Sequence, residues 1–269
     1  MKELQNFQED IIFKATMAYR YGIYSKFSNK RGFTAISKLL EETTMKRICK
    51  SKDCATEVKF KGDKYYFSNN KSLKTGILDE TEFFRAFLNK IRKKDVIYDV
   101  GSYHGLYAIL GSKNKSYAFE IDPENIKTIQ KNKELNSKRN ITIKNAAVTN
   151  RNGVINFQSG KKQSNQIGKG TNKIKSITLD KFSTNAKDPD IIKIDVEGAE
   201  LKVLEGSKKT IRRCKPTIFL ELHQNEILKE FGAKRKEVLS LLRNLDYKIA
   251  QEFKRRAQRQ IVLEPQSRS

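Results

Sequence analysis

Two rhythms alternate along the chain. Short apolar or β-branched stretches at 96–100, 116–120, 141–144, 191–194 and 216–220 read as strands. Between them, apolar residues recur at helical spacing over 106–110, 123–136, 199–211 and 234–244, the second of these with a proline in its first turn. Strands alternating with helices predict an α/β fold, a Rossmann-like sheet with helices on both faces. Segments 247–250 and 260–263 add two more strands, read as an antiparallel pair that closes the sheet.

The first third follows a different pattern. Leu4, Phe7, Ile11, Ala15 and Ala18 predict a helix over 3–24, and a second helix is expected over 34–49. Residues 57–67 alternate around Gly62 and Asp63, as a hairpin does. Asp79 then caps a helix running to 92. No stretch is rich enough in Pro, Gly or Ser to mark a free linker. The expected division is an N-terminal α/β extension, 1–94, ahead of a main domain, 95–269.

The strand at 96–100 runs through Gly101 and Gly105 into a helix, the order of a nucleotide-binding corner at the carboxyl end of a sheet. A dinucleotide fold wants G-x-G-x-x-G to close backbone on a pyrophosphate. Here three bulkier residues separate the two glycines, and Asp99 precedes the first by two positions. That suits a cofactor with an adenosine, no phosphate and cationic groups that a carboxylate can face, as in S-adenosylmethionine. Glu120, at the end of the next strand, stands where ribose hydroxyls are gripped in nucleotide-binding α/β folds. Asn145 ends the third strand, where it either meets an adenine edge or caps the turn. The polar stretch 159–171, with Gly160, Gly168 and Gly170, reads as a substrate lid or a surface loop.

Asp99-Val100-Gly101…Gly105, Glu120-Ile121-Asp122-Pro123, Ile192-Lys193-Ile194-Asp195-Val196-Glu197-Gly198-Ala199-Glu200 and Phe219-Leu220-Glu221-Leu222-His223 together resemble the FkbM family of S-adenosylmethionine-dependent methyltransferases. The resemblance runs from about 80 to 223. It departs after the first glycine, where the family carries a small residue and then Asn, and this chain has Ser102 and Tyr103. It implies a class I methyltransferase sheet and a cofactor pocket lined by Asp99, Gly101, Tyr103, Gly105, Glu120, Ile121, Asn145, Ala146 and Asp195. It also implies O-methylation of a hydroxyl on a sugar-bearing or other small acceptor.

Methyl transfer from a sulfonium needs an acceptor oxygen held in line and its proton removed. The chain has two histidines, His104 and His223, both at expected carboxyl ends of strands. His223 is the expected general base, with Glu221 on the same side of its strand to orient it. Glu197 is an alternative that binds the acceptor. His104, inside the turn, packs there or contacts the methionine moiety. No metal is expected, because no third ligand stands at helical or strand spacing from these residues.

Composition adds limits. The net charge is +24 over 269 residues. A basic chain invites nucleic acid, but its lysines are spread along the whole length, which favours a solvated surface and a small-molecule or glycan acceptor. RNA methylation is one alternative, and a non-catalytic nucleotide-binding module is another. The three cysteines are odd in number and fit no disulfide framework, which points to a reducing cytoplasm. No apolar run is long enough for a membrane span, and residues 1–5 lack the cationic start and apolar core expected of a signal peptide. The oligomeric state is not legible.

Overall fold

The computed structural model describes residues 43–50, 53–60, 63–68, 80–137, 140–158, 166–168, 170–255 and 257–266. The helix expected over 3–24, residues 34–42 of the next expected helix, and Asp79, the expected cap of the helix running to 92, lie outside them. The chain divides into two compact units, one of residues 1–88 and 131–137, the other of 89–130 and 138–269.

In the first unit, β1 (Thr43–Lys50), β2 (Asp53–Phe60) and β3 (Asp63–Ser68) form an antiparallel sheet in that order. The hairpin expected over 57–67 is β2–β3, with Phe60 opposite Asp63. The helix expected over 34–49 is overturned for its described part. Met45, Ile48 and Cys49 have helical spacing, but eight register pairs with β2 make this stretch a strand. Pairing has overridden local periodicity there. Two asparagines from 131–137 satisfy the edge of β3: Tyr66 N–H donates to Asn136 Oδ1 and Ser68 N–H to Asn132 Oδ1, both at 2.7 Å. The helix α1 (Thr81–Lys90) buries Phe83, Phe84 and Phe87.

The second unit is built on a seven-stranded sheet. Its chain order is β4 (Val96–Val100), α2 (Leu106–Leu110), β5 (Lys115–Glu120), α3 (Pro123–Leu135), β6 (Ile141–Asn145), β7 (Ala147–Val148), β8 (Gly153–Gln158), β9 (Gln166–Ile167) and β10 (Asn172–Ile177). There follow α4 (Leu179–Phe182), β11 (Ile191–Ile194), α5 (Glu200–Glu205), α6 (Lys208–Cys214), β12 (Thr217–Leu222), α7 (Asn225–Glu230), α8 (Arg235–Arg243), β13 (Tyr247–Arg255) and β14 (Gln258–Pro265). The spatial order is β13-β14-β12-β11-β4-β5-β6. The five strands from β12 to β6 run parallel, and β14 and β13 add antiparallel at one edge. This is the class I methyltransferase sheet the motifs implied.

Parallel strands are covered on both faces, so β4, β11 and β12 are buried at every position. Tyr98, Tyr117, Phe119 and Phe182 pack edge to face at 4.9–5.9 Å between ring centroids. A smaller sheet, β7-β10-β8-β9, follows β6 in the chain. The helix expected over 199–211 is two helices. Gly206 separates them, and a Cβ there would sit 2.0 Å from the carbonyl oxygen of Thr149. Most of the expected lid, 159–165 and 169, lies outside the described residues.

Candidate active site

Parallel strands bring their carboxyl ends to one edge, and two groups of polar side chains gather there. The first surrounds the β4–α2 turn. Gly101 has φ +77°, and a Cβ on it would lie 1.7 Å from the carbonyl oxygen of Asp195, so only glycine lets these two loops meet. Tyr103 (φ +49°) and Gly105 (φ +75°) continue the left-handed turn. Asp99 is fully buried. Its Oδ2 accepts the Ala108 N–H at 3.1 Å, while Oδ1 has no hydrogen-bond partner among the described residues. Burial pushes this carboxyl up to about 6, against the pull of Lys193, its register partner on β11.

Glu120 is buried at the end of β5 and takes three backbone amides: Tyr103 N–H at 2.8 Å on Oε2, and Ile121 and Asp122 N–H at 2.8 and 2.9 Å on Oε1. Burial raises its pKa and these amides pull it back. Ile121 packs against a small apolar cluster of Ala147, Phe157 and Ile174. Asn145 is exposed in register with Glu120, and Ala146 is buried beside it. His104 is 6% exposed, and burial lowers its pKa to about 4, so it is neutral at physiological pH.

The second group forms where β11 and β12 end. Asp195 follows β11, and its N–H donates to Val100 O at 3.0 Å. Lys193, 4% exposed inside the apolar strand, donates from Nζ to Asp195 Oδ2 and to Gly101 O, both at 3.2 Å. Burial opposes ionisation of Asp195, but Lys193, His223 and Arg255 together hold its pKa below the usual carboxylate value. Glu197 turns back at φ +52°, followed by Gly198 at +108°, whose missing Cβ makes room for the Phe231 ring. His223 is fully buried. Its Nδ1 lies 2.6 Å from Glu200 Oε1, and its Nε2 lies 3.2 Å from Glu197 Oε2 without being aligned for a hydrogen bond. Glu200, itself fully buried, also accepts the Gly198 N–H at 3.1 Å.

Three sequence-based expectations change here. Glu221 does not orient His223: its carboxylate is held by Arg255 Nη1 at 2.9 and 3.2 Å and by Gln260 Nε2 at 3.1 Å. Glu200 takes that place instead. His223 is also not a free imidazole. Burial pulls its pKa down, but Glu197 and Glu200 outweigh it and raise the imidazole to about 11. Finally, a third metal-ligand type does join the pair. One ligand atom each of Asp195, Glu197 and His223 lie within 4.8 Å of one another, brought together by two adjacent strand ends rather than by sequence spacing. Glu200 and Lys193 were missed as participants. The signal for Lys193 was a lone charge inside the apolar run Ile191–Ile194.

The methyltransferase FkbM domain family matches residues 99–249, more than half of the chain. The chain belongs to this family. Its FkbM domain contains both groups of side chains, from Asp99 through His223. Hexuronic acid methyltransferase AglP of Haloferax volcanii is 28% identical over 170 residues, covering 61% of this chain and 67% of its own. Among solved structures, methyltransferase FkbM of Methylobacillus flagellatus KT aligns at TM-score 0.48 with 13% identity, over 71% of this chain and 60% of that one. A precorrin-6y C5,15-methyltransferase of Geobacter metallireducens GS-15 aligns at TM-score 0.46 with 15% identity, over 75% and 94%. No helix among the described residues is long and apolar enough to cross a membrane.

Proposed function

We propose that the chain transfers a methyl group from S-adenosylmethionine to a hydroxyl of a sugar-bearing small molecule or glycan. The observation that carries this reading is the adjacency of the two groups. The Gly101 turn, with its buried acids Asp99 and Glu120, touches the Asp195 loop, whose Glu197 side chain is 38% exposed. The uncommitted Asp99 Oδ1 suits a cationic cofactor, reached directly or through water, and Glu120 suits ribose hydroxyls. Asn145, Ala146 and Ile121 are proposed to line the adenine side.

The sulfonium is a good leaving group, so the protein's work is alignment and proton removal. As the acceptor oxygen bonds the methyl carbon, the carbon–sulfur bond breaks and S-adenosylhomocysteine leaves. We assign the acceptor's proton to Glu197 rather than His223. Glu197 reaches solvent, whereas His223 is enclosed and already held between two carboxylates. His223 is then a positioning residue for Glu197. The similarity to a hexuronic acid methyltransferase supports a sugar acceptor, and uronic acids are the first substrates to try.

Incubation with isotopically labelled S-adenosylmethionine and parallel pools of uronic-acid glycans, neutral glycans and RNA tests the proposal. The expected product is a methyl ether on a glycan hydroxyl, read by mass spectrometry. Label found in RNA alone would move the function to nucleic acid, and label in no pool, with cofactor bound, would support a non-catalytic module. Glu197→Gln is expected to lower turnover about 10²–10⁴-fold with cofactor affinity nearly constant.

A further inference from the structure

We propose that Asp195, Glu197 and His223 bind one divalent transition-metal cation through mixed oxygen and nitrogen ligands, with Glu200 as the outer carboxylate that fixes the imidazole. The site concerns the same loops as methyl transfer but does not depend on which acceptor is used.

Geometry is the first support. The 3.2 Å between His223 Nε2 and Glu197 Oε2 matches the separation of two ligands on one metal with bonds of about 2.0–2.2 Å. Asp195 completes a set whose ligand atoms lie within 4.8 Å of one another, so a metal draws them together without moving a strand.

An independent observation concerns His223 alone. It is fully buried, yet among the described residues Nε2 makes no aligned hydrogen bond while lying 3.2 Å from Glu197 Oε2. A buried polar nitrogen left so is unfavourable unless something else engages it. The other nitrogen explains what that is. Nδ1 is committed to the buried Glu200 at 2.6 Å, and Glu200 is pinned by Gly198 N–H. A carboxylate on one ring nitrogen turns the other nitrogen's lone pair outward, as it does for metal-bound histidines generally.

Charge agrees. The carboxylates of Asp195, Glu197 and Glu200 surround this position, and Lys193 Nζ meets the first of them at Asp195 Oδ2, 3.2 Å away. Binding a divalent ion at His223 Nε2 would release the imidazole proton to solvent, and the clustered carboxylates would then face the metal's charge in its place. Arg255 is occupied by Glu221 on the neighbouring strand. Two carboxylates with one imidazole suit Mn²⁺ or Zn²⁺ better than Ca²⁺, which wants six to eight oxygens, or Mg²⁺, which keeps mostly water and oxygen ligands. Monodentate ligation by Glu197 Oε2 leaves Oε1 for the acceptor hydroxyl.

The test uses the full chain, stripped with chelator and dialysed, without cofactor or acceptor. MnCl2 is titrated while the spectrum of free aqueous Mn²⁺ is followed by electron paramagnetic resonance, with calorimetry in parallel and ZnCl2 as competitor. One stoichiometric site with micromolar affinity, emptied by Zn²⁺, is expected. Glu197→Gln should weaken it by more than tenfold, and Glu200→Gln by about 10–100-fold. His223→Gln should abolish it, but that residue is fully enclosed. The partly exposed Glu197 variant, checked by its melting curve, therefore carries the decision if the histidine variant does not fold. Glu124→Gln, on the exposed start of α3, should bind like the parent. Absence of a stoichiometric site, or equal affinity in Glu197→Gln, would overturn the proposal. Methyl transfer is measured separately, so either reading can fail alone.

Discussion

Glu120 and Glu200 are both buried acids at the same edge of one sheet, and they are held in opposite ways. Glu120 takes three amides from residues 103, 121 and 122, so short loops of its own and the neighbouring strand fix it. Glu200 takes one amide and the imidazole of His223, which arrives from another strand. A carboxylate fixed by backbone makes a rigid, preformed cradle. One fixed by a side chain is part of a network whose charge can change, and that suits the side of the site to which we assign the acceptor's proton.

The largest effect should come from joining the two regions too tightly. Gly101→Ala places a methyl on the Asp195 carbonyl at a φ that alanine disfavours. A loss of roughly 2–6 kcal/mol is expected, from overpacking and backbone strain together. Urea midpoints measure it, and a loss below about 1 kcal/mol would show that the loops can part freely.

Next is Asp99, whose folded carboxyl holds its proton more tightly than the unfolded one, about 6 against 3.8. The sign follows from that. The stabilising contribution is complete below about pH 4 and is lost as pH rises through about 6. Asp99→Asn keeps an acceptor for Ala108 N–H and removes the buried charge. Above pH 6 it should be more stable than the parent, by up to about 3 kcal/mol, with the gap closing in acid. Cofactor affinity should fall at the same time. Denaturation from pH 4 to 8 checks the first part; a gap that does not change with pH would remove Asp99 as its source.

On the cofactor side, Glu120→Ala should weaken S-adenosylmethionine binding by about 1–3 kcal/mol, through the lost ribose contact and the three released amides. Calorimetry reads it, with NAD as the control that should bind more weakly. An unchanged dissociation constant would take Glu120 out of the pocket.

The same contrast explains what the sequence revealed. The strand–glycine–helix corner and the buried Glu120 at the end of the next strand were legible because the pattern lies within one βαβ unit, and the three amides on Glu120 come from residues 103, 121 and 122. The edge pair 247–255 and 258–265 was legible in outline for a similar reason, since its strands are neighbours in the chain. Glu200 was not assigned, because its partner is 23 residues away on an adjacent strand. The strand at 43–50 was missed because helical spacing of Met45, Ile48 and Cys49 lost to pairing with β2. The break at Gly206 was missed because its cause, the Thr149 carbonyl, comes from a distant loop.

Glu221 sharpens the comparison with the smallest effect on activity. Strand alternation puts it on the same side as His223, which made it the natural partner in sequence. In the fold its carboxylate instead meets Arg255 and Gln260 from the antiparallel edge strands, where it ties β12 to β13 and β14. Glu221→Gln keeps the shape and one hydrogen-bonding oxygen while removing the charge that Arg255 faces. Stability should drop by about 1–3 kcal/mol, the range for losing a charge-assisted bond at a buried partner. Turnover at saturating substrate should stay within about twofold, and its pH profile should not move, since His223 takes its orientation from Glu200. Glu200→Gln is the paired experiment, expected to lower turnover while leaving the Glu221–Arg255 contact intact. If Glu221→Gln instead cost as much turnover as Glu200→Gln at equal folded fraction, the network would extend across β12, and the two regions could not be treated as separate.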